Sequence, residues 1–112
     1  KHGKDKLNQW RIAWLADFLK YRYKTKGKHR YTAKGCNMAY WRDQFIDVNG
    51  YNEEIVGWGS EDEEFVVRLI KSGARKQYMK MGGIAFHIYH PLISRSREEI
   101  NKKILADAIN QP

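Results

Sequence analysis

The chain has 112 residues, a net charge of +8 and a pI near 9.6; hydrophobic residues make up 42% of it, which argues against disorder and allows one modest domain with a core. No apolar run approaches the roughly 20 residues that a membrane-spanning helix needs, and the lone Cys36 excludes an internal disulfide. The net positive charge is compatible with nucleic acid, an anionic membrane or a phosphorylated ligand as partner, and it does not distinguish among them.

The first predicted element is an amphipathic helix over residues 6–23, where apolar side chains recur at helical spacing. They are Leu7, Trp10, Ala13, Trp14, Phe18 and Tyr21. The basic stretch KTKGKHRYTAKG, residues 24–35, predicts a loop. A short strand is predicted over residues 36–41 (CNMAYW). A short helix follows and ends at Asn49-Gly50, a common C-terminal signal.

After a loop over residues 51–59, the pattern EDEEFVVRLIK predicts a helix that begins at Glu61 and stops before Gly73. Residues 74–81 and 83–90 are predicted strands. From Ser94 the sequence SRSREEINKKILADAI predicts a last amphipathic helix. The chain therefore combines short strands with three to four helices.

Four acidic residues, Glu61 to Glu64, begin the third of these helices, and two explanations compete for them. Ser60 with Glu63 three residues on fits a capping box, and first-turn acids are favoured by the helix dipole. Capping does not explain Trp58 between two glycines, which suits an aromatic ring laid on a sugar. The alternative is chemical: a carboxylate held at a helix N-terminus accepts a proton from an alcohol nucleophile, and its neighbours bind further hydroxyls.

The order of motifs over residues 35–101 resembles a known family. The motifs are a glycine at the start of a strand, F-x-x-V-N-G-Y, G-W-G-x-E-D, R-L-x-x-x-G and a late histidine. They resemble the acceptor-side half of inverting GT-A glycosyltransferases, most of all bacterial family 2 enzymes with a galactosyltransferase-like C-terminal region. They are also similar to animal β-1,4-galactosyltransferases. The resemblance implies an α/β fold, the C-terminal part of a GT-A fold with short mixed strands. It also implies inverting transfer of a sugar from a nucleotide-diphospho-sugar to a hydroxyl acceptor, carbohydrate or lipid-linked.

The resemblance also implies roles for individual residues. Asp62 matches the catalytic base, which deprotonates the acceptor hydroxyl. Glu61 matches an acid that holds sugar hydroxyls, and Trp58 matches a tryptophan that contacts sugar. The remaining substrate-binding positions that it implies are Gly57 and Gly59 as a hinge, with Gly35 and Asn37 on the strand that passes the donor sugar.

Two histidines, His87 and His90, lie three residues apart. On a strand they face opposite sides, so one surface and one buried, hydrogen-bonded histidine is the plain interpretation. The resemblance instead implies that His90 ligates a divalent metal, Mn²⁺ or Mg²⁺, with His87 as a weaker second ligand. The family's Asp-x-Asp motif is absent from the sequence. Residues 1–112 are therefore expected to be a single domain, a C-terminal fragment that lacks the nucleotide-binding half and is inactive alone.

The basic residues between Tyr21 and Lys34 alternate with tyrosines, which leaves several interpretations open. They fit a solvated loop, a single-stranded nucleic acid site, or a surface that meets donor phosphates or an anionic membrane. No RNA-binding fingerprint appears, which disfavours nucleic acid. We expect a cytoplasmic protein, peripheral at the inner face of the membrane, and a homodimer if apolar surface stays exposed. The alternative function is a non-catalytic module that binds a polyanion.

Overall fold

The computed structural model describes residues 11–80, 82–83, 85, 88–91 and 94–112. Its α-helices are α1 (Ala13–Leu19), α2 (Arg42–Asp47), α3 (Glu61–Lys71) and α4 (Glu98–Asn110), and short 3-10 helices lie at Gly27–His29 and Gly35–Asn37. Within these described ranges there is no β-strand, and no helix is long and apolar enough to cross a bilayer. The predicted α/β class with short mixed strands is therefore wrong: the described fold is helical.

The predicted strands fail because their backbones find no partner. Residues 36–41 begin as a 3-10 helix, and beyond it Met38 and Trp41 have extended φ/ψ angles without a neighbouring strand. A ladder needs two strands to exchange N–H and C=O groups. In residues 74–80 the Tyr78 N–H instead donates to the Lys20 carbonyl after α1, at 2.8 Å. The third predicted strand, residues 83–90, lies partly outside the described residues, and its described positions are not in a strand.

The chain divides into two compact units. The first contains the described residues of 1–30 and 76–87, and the second those of 31–75 and 88–112. Each unit is thus assembled from two separate stretches of the chain.

The first unit is built around α1 and the segment that returns at residues 76–80. Tyr23 and Tyr78 meet edge to face with ring centroids 5.1 Å apart, and the Lys76 ammonium donates to the His29 carbonyl at 3.1 Å. The predicted apolar face of the first helix is not buried, since Trp14 is 73% and Phe18 56% exposed.

In the second unit the core is formed by α3, which carries the buried apolar side chains Phe65, Val66, Val67 and Leu69. Phe65 lies among three aromatic rings at centroid distances of 4.6–5.7 Å. These rings belong to Tyr40, Phe45 and Tyr51. The same helix packs against α4, where the Lys71 ammonium donates to the terminal carbonyls of Ala108, Ile109 and Gln111. One helix therefore organises the unit on both sides.

A buried ion pair ties α3 to the end of α2. The Arg68 guanidinium donates to both Glu64 carboxylate oxygens at 2.7 and 2.8 Å, and to the Val48 carbonyl at 2.7 Å. Glu64 is only 2% exposed. Because a bidentate pair satisfies nearly all polar atoms of both groups, the charges are tolerated here.

We expect Arg68→Met to lower the free energy of unfolding by about 3–5 kcal/mol, because it leaves the charge of the buried Glu64 carboxylate without its partner. Urea unfolding followed by circular dichroism measures it. Lys102→Met is the matched control, since Lys102 forms ion pairs with Glu98 and Glu99 at the surface, and it should leave the midpoint unchanged. Equal effects of both changes would contradict the burial argument.

Candidate functional site

The first turn of α3 follows a loop with an unusual backbone. Gly57 and Gly59 have φ angles of +79° and +109°, and Ser60 has +70°. Left-handed angles favour glycine, which explains both glycines around Trp58. Ser60 makes no side-chain hydrogen bond to α3, so the capping-box interpretation is wrong. The first-turn acids Asp62 and Glu64 instead accept hydrogen bonds from other parts of the unit.

Asp62 is held by two neutral donors. The Gly35 N–H donates to Oδ2 at 2.6 Å, and the Tyr51 hydroxyl lies 3.4 Å from Oδ1. A Cβ on Gly35 would stand 2.6 Å from Oδ1, closer than real contacts allow. The structure thus brings together the predicted residues Gly35 and Asp62, and it shows why position 35 is glycine.

Tyr51 was not among the predicted site residues, although it ends the V-N-G-Y motif. Its ring stacks on Phe65 at 4.6 Å while its hydroxyl faces Asp62. Partial burial, the negative charge of Asp62 and the neighbouring Tyr40, in that order of size, together raise the pKa of Tyr51 to about 12. The phenol therefore stays protonated at neutral pH and serves as a donor toward the carboxylate.

Among the predicted binding residues, Glu61 has a carboxylate oxygen that lacks a hydrogen-bond donor within the described structure. Its Oε2 atom is buried and has no hydrogen-bond partner in the part of the chain that the structure describes. A buried carboxylate oxygen without a donor is unfavourable. A hydroxyl brought by a ligand would satisfy this atom, which lies one residue before Asp62.

The loop that carries Trp58 is fastened by a residue of α4. Asn101 is fully buried, and its amide donates to the carbonyls of Val56 and Trp58 at 3.0 and 3.2 Å. The Arg95 guanidinium lies 4.0 Å above the Trp58 ring, a cation–π contact that occupies one ring face. Sequence analysis missed both residues. A polar Asn on an otherwise amphipathic helix was the available signal for the first.

The remaining predicted site residues are not gathered at Asp62. Asn37 and His90 are exposed, and the His90 Nδ1 atom lies 3.0 Å from the Pro91 carbonyl oxygen. His87 lies outside the described residues. Among the residues that the structure describes, no group of three His, Cys, Asp or Glu side chains is placed to hold a metal ion. Metal binding by His90 and His87 therefore stays a prediction.

A cleft of about 870 Å³ in the second unit lies apart from the predicted site. It runs between the end of α2, the side of α3 that carries Glu64 and Arg68, and the C-terminal half of α4. It shares Tyr51 with the predicted site but is not lined by Trp58, Glu61 or Asp62.

Comparison with known proteins gives one result. A family model described as the N-terminal domain of galactosyltransferase matches residues 16–91. This stretch includes Gly35, Trp58, Glu61 and Asp62. No curated protein and no solved structure matches the chain.

We expect Tyr51 to titrate near pH 12, clear of ordinary tyrosines near 10. Asp62→Asn should lower the pKa of Tyr51 while leaving it above 10, because burial is its main cause. Since the raised value holds only in the folded state, stability should fall as the pH rises from about 10 to about 12, and Tyr51→Phe should flatten that fall.

Carbon NMR of the tyrosine rings measures this titration, with Tyr51→Phe assigning the signal. Asp47→Asn, at an exposed acid of α2, is the control and should leave Tyr51 unchanged. If Tyr51 titrated at the same pH as the other tyrosines, its contacts with Asp62 and Phe65 would not be those that the structure shows.

Asn101→Ala should loosen the Trp58 loop, because two backbone carbonyls lose their donor; each lost bond costs on the order of 1 kcal/mol. Amide hydrogen exchange should accelerate at residues 56–59 more than elsewhere in the unit. Asn110→Ala, at the exposed end of α4, is the control. Uniform acceleration across the unit would indicate global destabilisation instead of a local fastening role.

Proposed function

The chain belongs to the galactosyltransferase family whose N-terminal-domain model it matches, and on that premise we propose that it carries the acceptor and catalytic-base portion of a glycosyltransferase. The observation that carries the proposal is the Asp62 carboxylate, held by the Gly35 N–H at 2.6 Å and next in sequence to Glu61, whose buried Oε2 has no hydrogen-bond partner among the described residues. The finer assignments, to family 2 and to the C-terminal, acceptor-side region of such an enzyme, are part of the proposal.

The proposed reaction is a single in-line displacement. The acceptor hydroxyl oxygen attacks the anomeric carbon of a nucleotide-diphospho-sugar, the bond from that carbon to the diphosphate oxygen breaks, and the configuration inverts. Asp62 takes the hydroxyl proton as the new bond forms. The diphosphate leaves with the electron pair of the broken bond.

The surroundings of Asp62 suit a general base. Its two donors are the uncharged Gly35 N–H and Tyr51 hydroxyl, so among the described residues the carboxylate is oriented without an ion pair. A fixed orientation lowers the barrier because the proton acceptor is already placed when the hydroxyl arrives.

Glu61 and Trp58 are proposed to position the acceptor sugar. A sugar hydroxyl donating to Glu61 Oε2 would satisfy a buried oxygen that has no donor among the described residues. Trp58 offers an aromatic surface on a loop fixed by Asn101, although Arg95 already covers one face of its ring. Sugar stacking therefore requires the other face or displacement of Arg95.

A divalent metal remains an expectation from the family and not a part of this mechanism. The described residues do not assemble a ligand set around His90, and we route no step through Mn²⁺ or Mg²⁺. The donor sugar is proposed as a nucleotide-diphospho-sugar on family grounds alone.

Asp62→Asn should reduce transfer by about 10²–10⁴-fold, the usual contribution of a positioned general base. The measurement is nucleotide diphosphate release with a panel of sugar donors and acceptors, in the longest natural polypeptide that contains this sequence. Glu99→Gln, which changes an exposed first-turn acid of α4, is the matched control and should keep full activity.

The same experiment distinguishes the transferase from the alternative function. A non-catalytic polyanion-binding module would release no diphosphate above background, and its binding would be unchanged or slightly stronger in Asp62→Asn. That outcome would overturn the transferase proposal.

A further inference from the structure

The two units differ sharply in charge. Residues 1–30 and 76–87 contain twelve Lys and Arg against two Asp, a balance of +10, whereas the rest of the chain has nine against eleven, a balance of −2. Of the two acids in the first unit, Asp17 forms an ion pair with Lys20 at 2.7 Å. The basic character of the protein is therefore a property of the first unit alone.

Three lysines of this unit gather around two tyrosine rings, and we name Lys24, Lys76 and Lys80 the lysine cluster. The Lys24 ammonium lies 5.4 Å from the Tyr23 ring centre and 5.7 Å from that of Tyr78. Lys80 lies 5.3 Å from Tyr23, and Lys76 lies 5.7 Å from Tyr78. Like charges held this close together favour an anionic partner.

The outer side of α1 presents large aromatic side chains. Trp14 and Phe18 are four residues apart and share one side of α1, while Arg11 and Arg22 lie in the chain just before and just after this helix. Trp14 is 73% and Phe18 56% exposed, and the Arg22 guanidinium lies 4.5 Å above the Phe18 ring. We name these four residues the exposed stripe.

We propose that the first unit binds the surface of an anionic lipid bilayer, with Trp14 and Phe18 entering the headgroup region and the surrounding cations contacting lipid phosphates. Tryptophan and phenylalanine flanked by basic residues are the composition of helices that lie in a membrane interface. Basic clusters bind anionic leaflets through the negative surface potential. This inference does not depend on the transferase reaction.

Nucleic acid is also an anionic partner for the first unit, but the arrangement of the aromatic rings fits a lipid bilayer better. Single-stranded nucleic acid stacks its bases on open aromatic faces. In this unit Tyr23 and Tyr78 contact each other edge to face and carry the lysine cluster, and Arg22 covers Phe18. The exposed side chains of Trp14 and Phe18 can insert between lipid headgroups, whereas the ring faces in this unit are largely covered and so are less suited to stacking on bases.

The test is sedimentation of the 112-residue chain with vesicles of phosphatidylcholine alone, or with phosphatidylglycerol added. We expect binding to the anionic vesicles only, with release at high salt. Trp14→Ser with Phe18→Ser should weaken binding on the order of tenfold through loss of inserted apolar area. Trp41→Ser, at a tryptophan 78% exposed in the second unit, is the matched control and should bind as the parent does.

A second pair of variants tests the charge without touching the tyrosine contacts. Lys26→Gln with Lys28→Gln, at exposed positions of the first unit, should weaken binding by about fivefold for each lysine. Lys34→Gln with Lys103→Gln, exposed in the second unit, should not. Circular dichroism confirms that each variant is folded.

Several outcomes would overturn the proposal. One is equal binding to neutral and anionic vesicles, and another is no binding at low salt. A third is vesicle binding that the Trp14 and Phe18 changes leave unaltered. If single-stranded DNA binds more tightly than the vesicles and those changes abolish its binding, the surface is a nucleic-acid site. If they instead abolish a dimer of the parent chain, it is a contact between two copies.

Discussion

The burial of α3 is the constraint on which the second unit depends. Phe65 and Asp62 lie three residues apart and so share one side of this helix. Tyr51 spans them, because its ring stacks on Phe65 while its hydroxyl faces the Asp62 carboxylate. The packing that hides the aromatic core is therefore the same packing that orients the proposed base. One turn further on, the buried pair of Glu64 and Arg68 fixes the helix to the end of α2, so the first turn has little freedom to rotate.

The parts of the fold that sequence analysis predicted well are those governed by local pattern. The helix from Glu61 ends at Lys71, before Gly73 with its φ of +106°, and the chain turns at Asn49-Gly50 as expected. The strands were wrong because alternating apolar residues specify an extended backbone but cannot supply a pairing partner. Trp14 and Phe18 show the same limit. Their spacing predicts a helix correctly, but only tertiary contacts decide which of its sides is buried.

In the candidate site too, residues within a local motif were predicted, and residues that act through long-range contacts were not. Asp62, Glu61 and Trp58 were identified from a contiguous motif, and the structure joins Asp62 to the predicted Gly35. Asn101 and Arg95 escaped notice because their roles arise from contacts across about 40 residues of chain. A buried asparagine and an exposed arginine have no local signature for a loop-fastening or ring-covering role. The metal prediction rests on family likeness alone, and His90 has no cluster of ligands around it among the described residues.

The two units are interleaved along the chain, which passes from one to the other three times. Any continuous piece that contains one unit whole also contains part of the other, so simple truncation does not yield either unit alone. Formation of the first unit requires residue 78 to reach residue 20, a closure that spans the segment carrying α2 and α3. Such long-range closure slows folding and makes the order of assembly matter during synthesis, because the helix bearing Asp62 leaves the ribosome before the first unit can close.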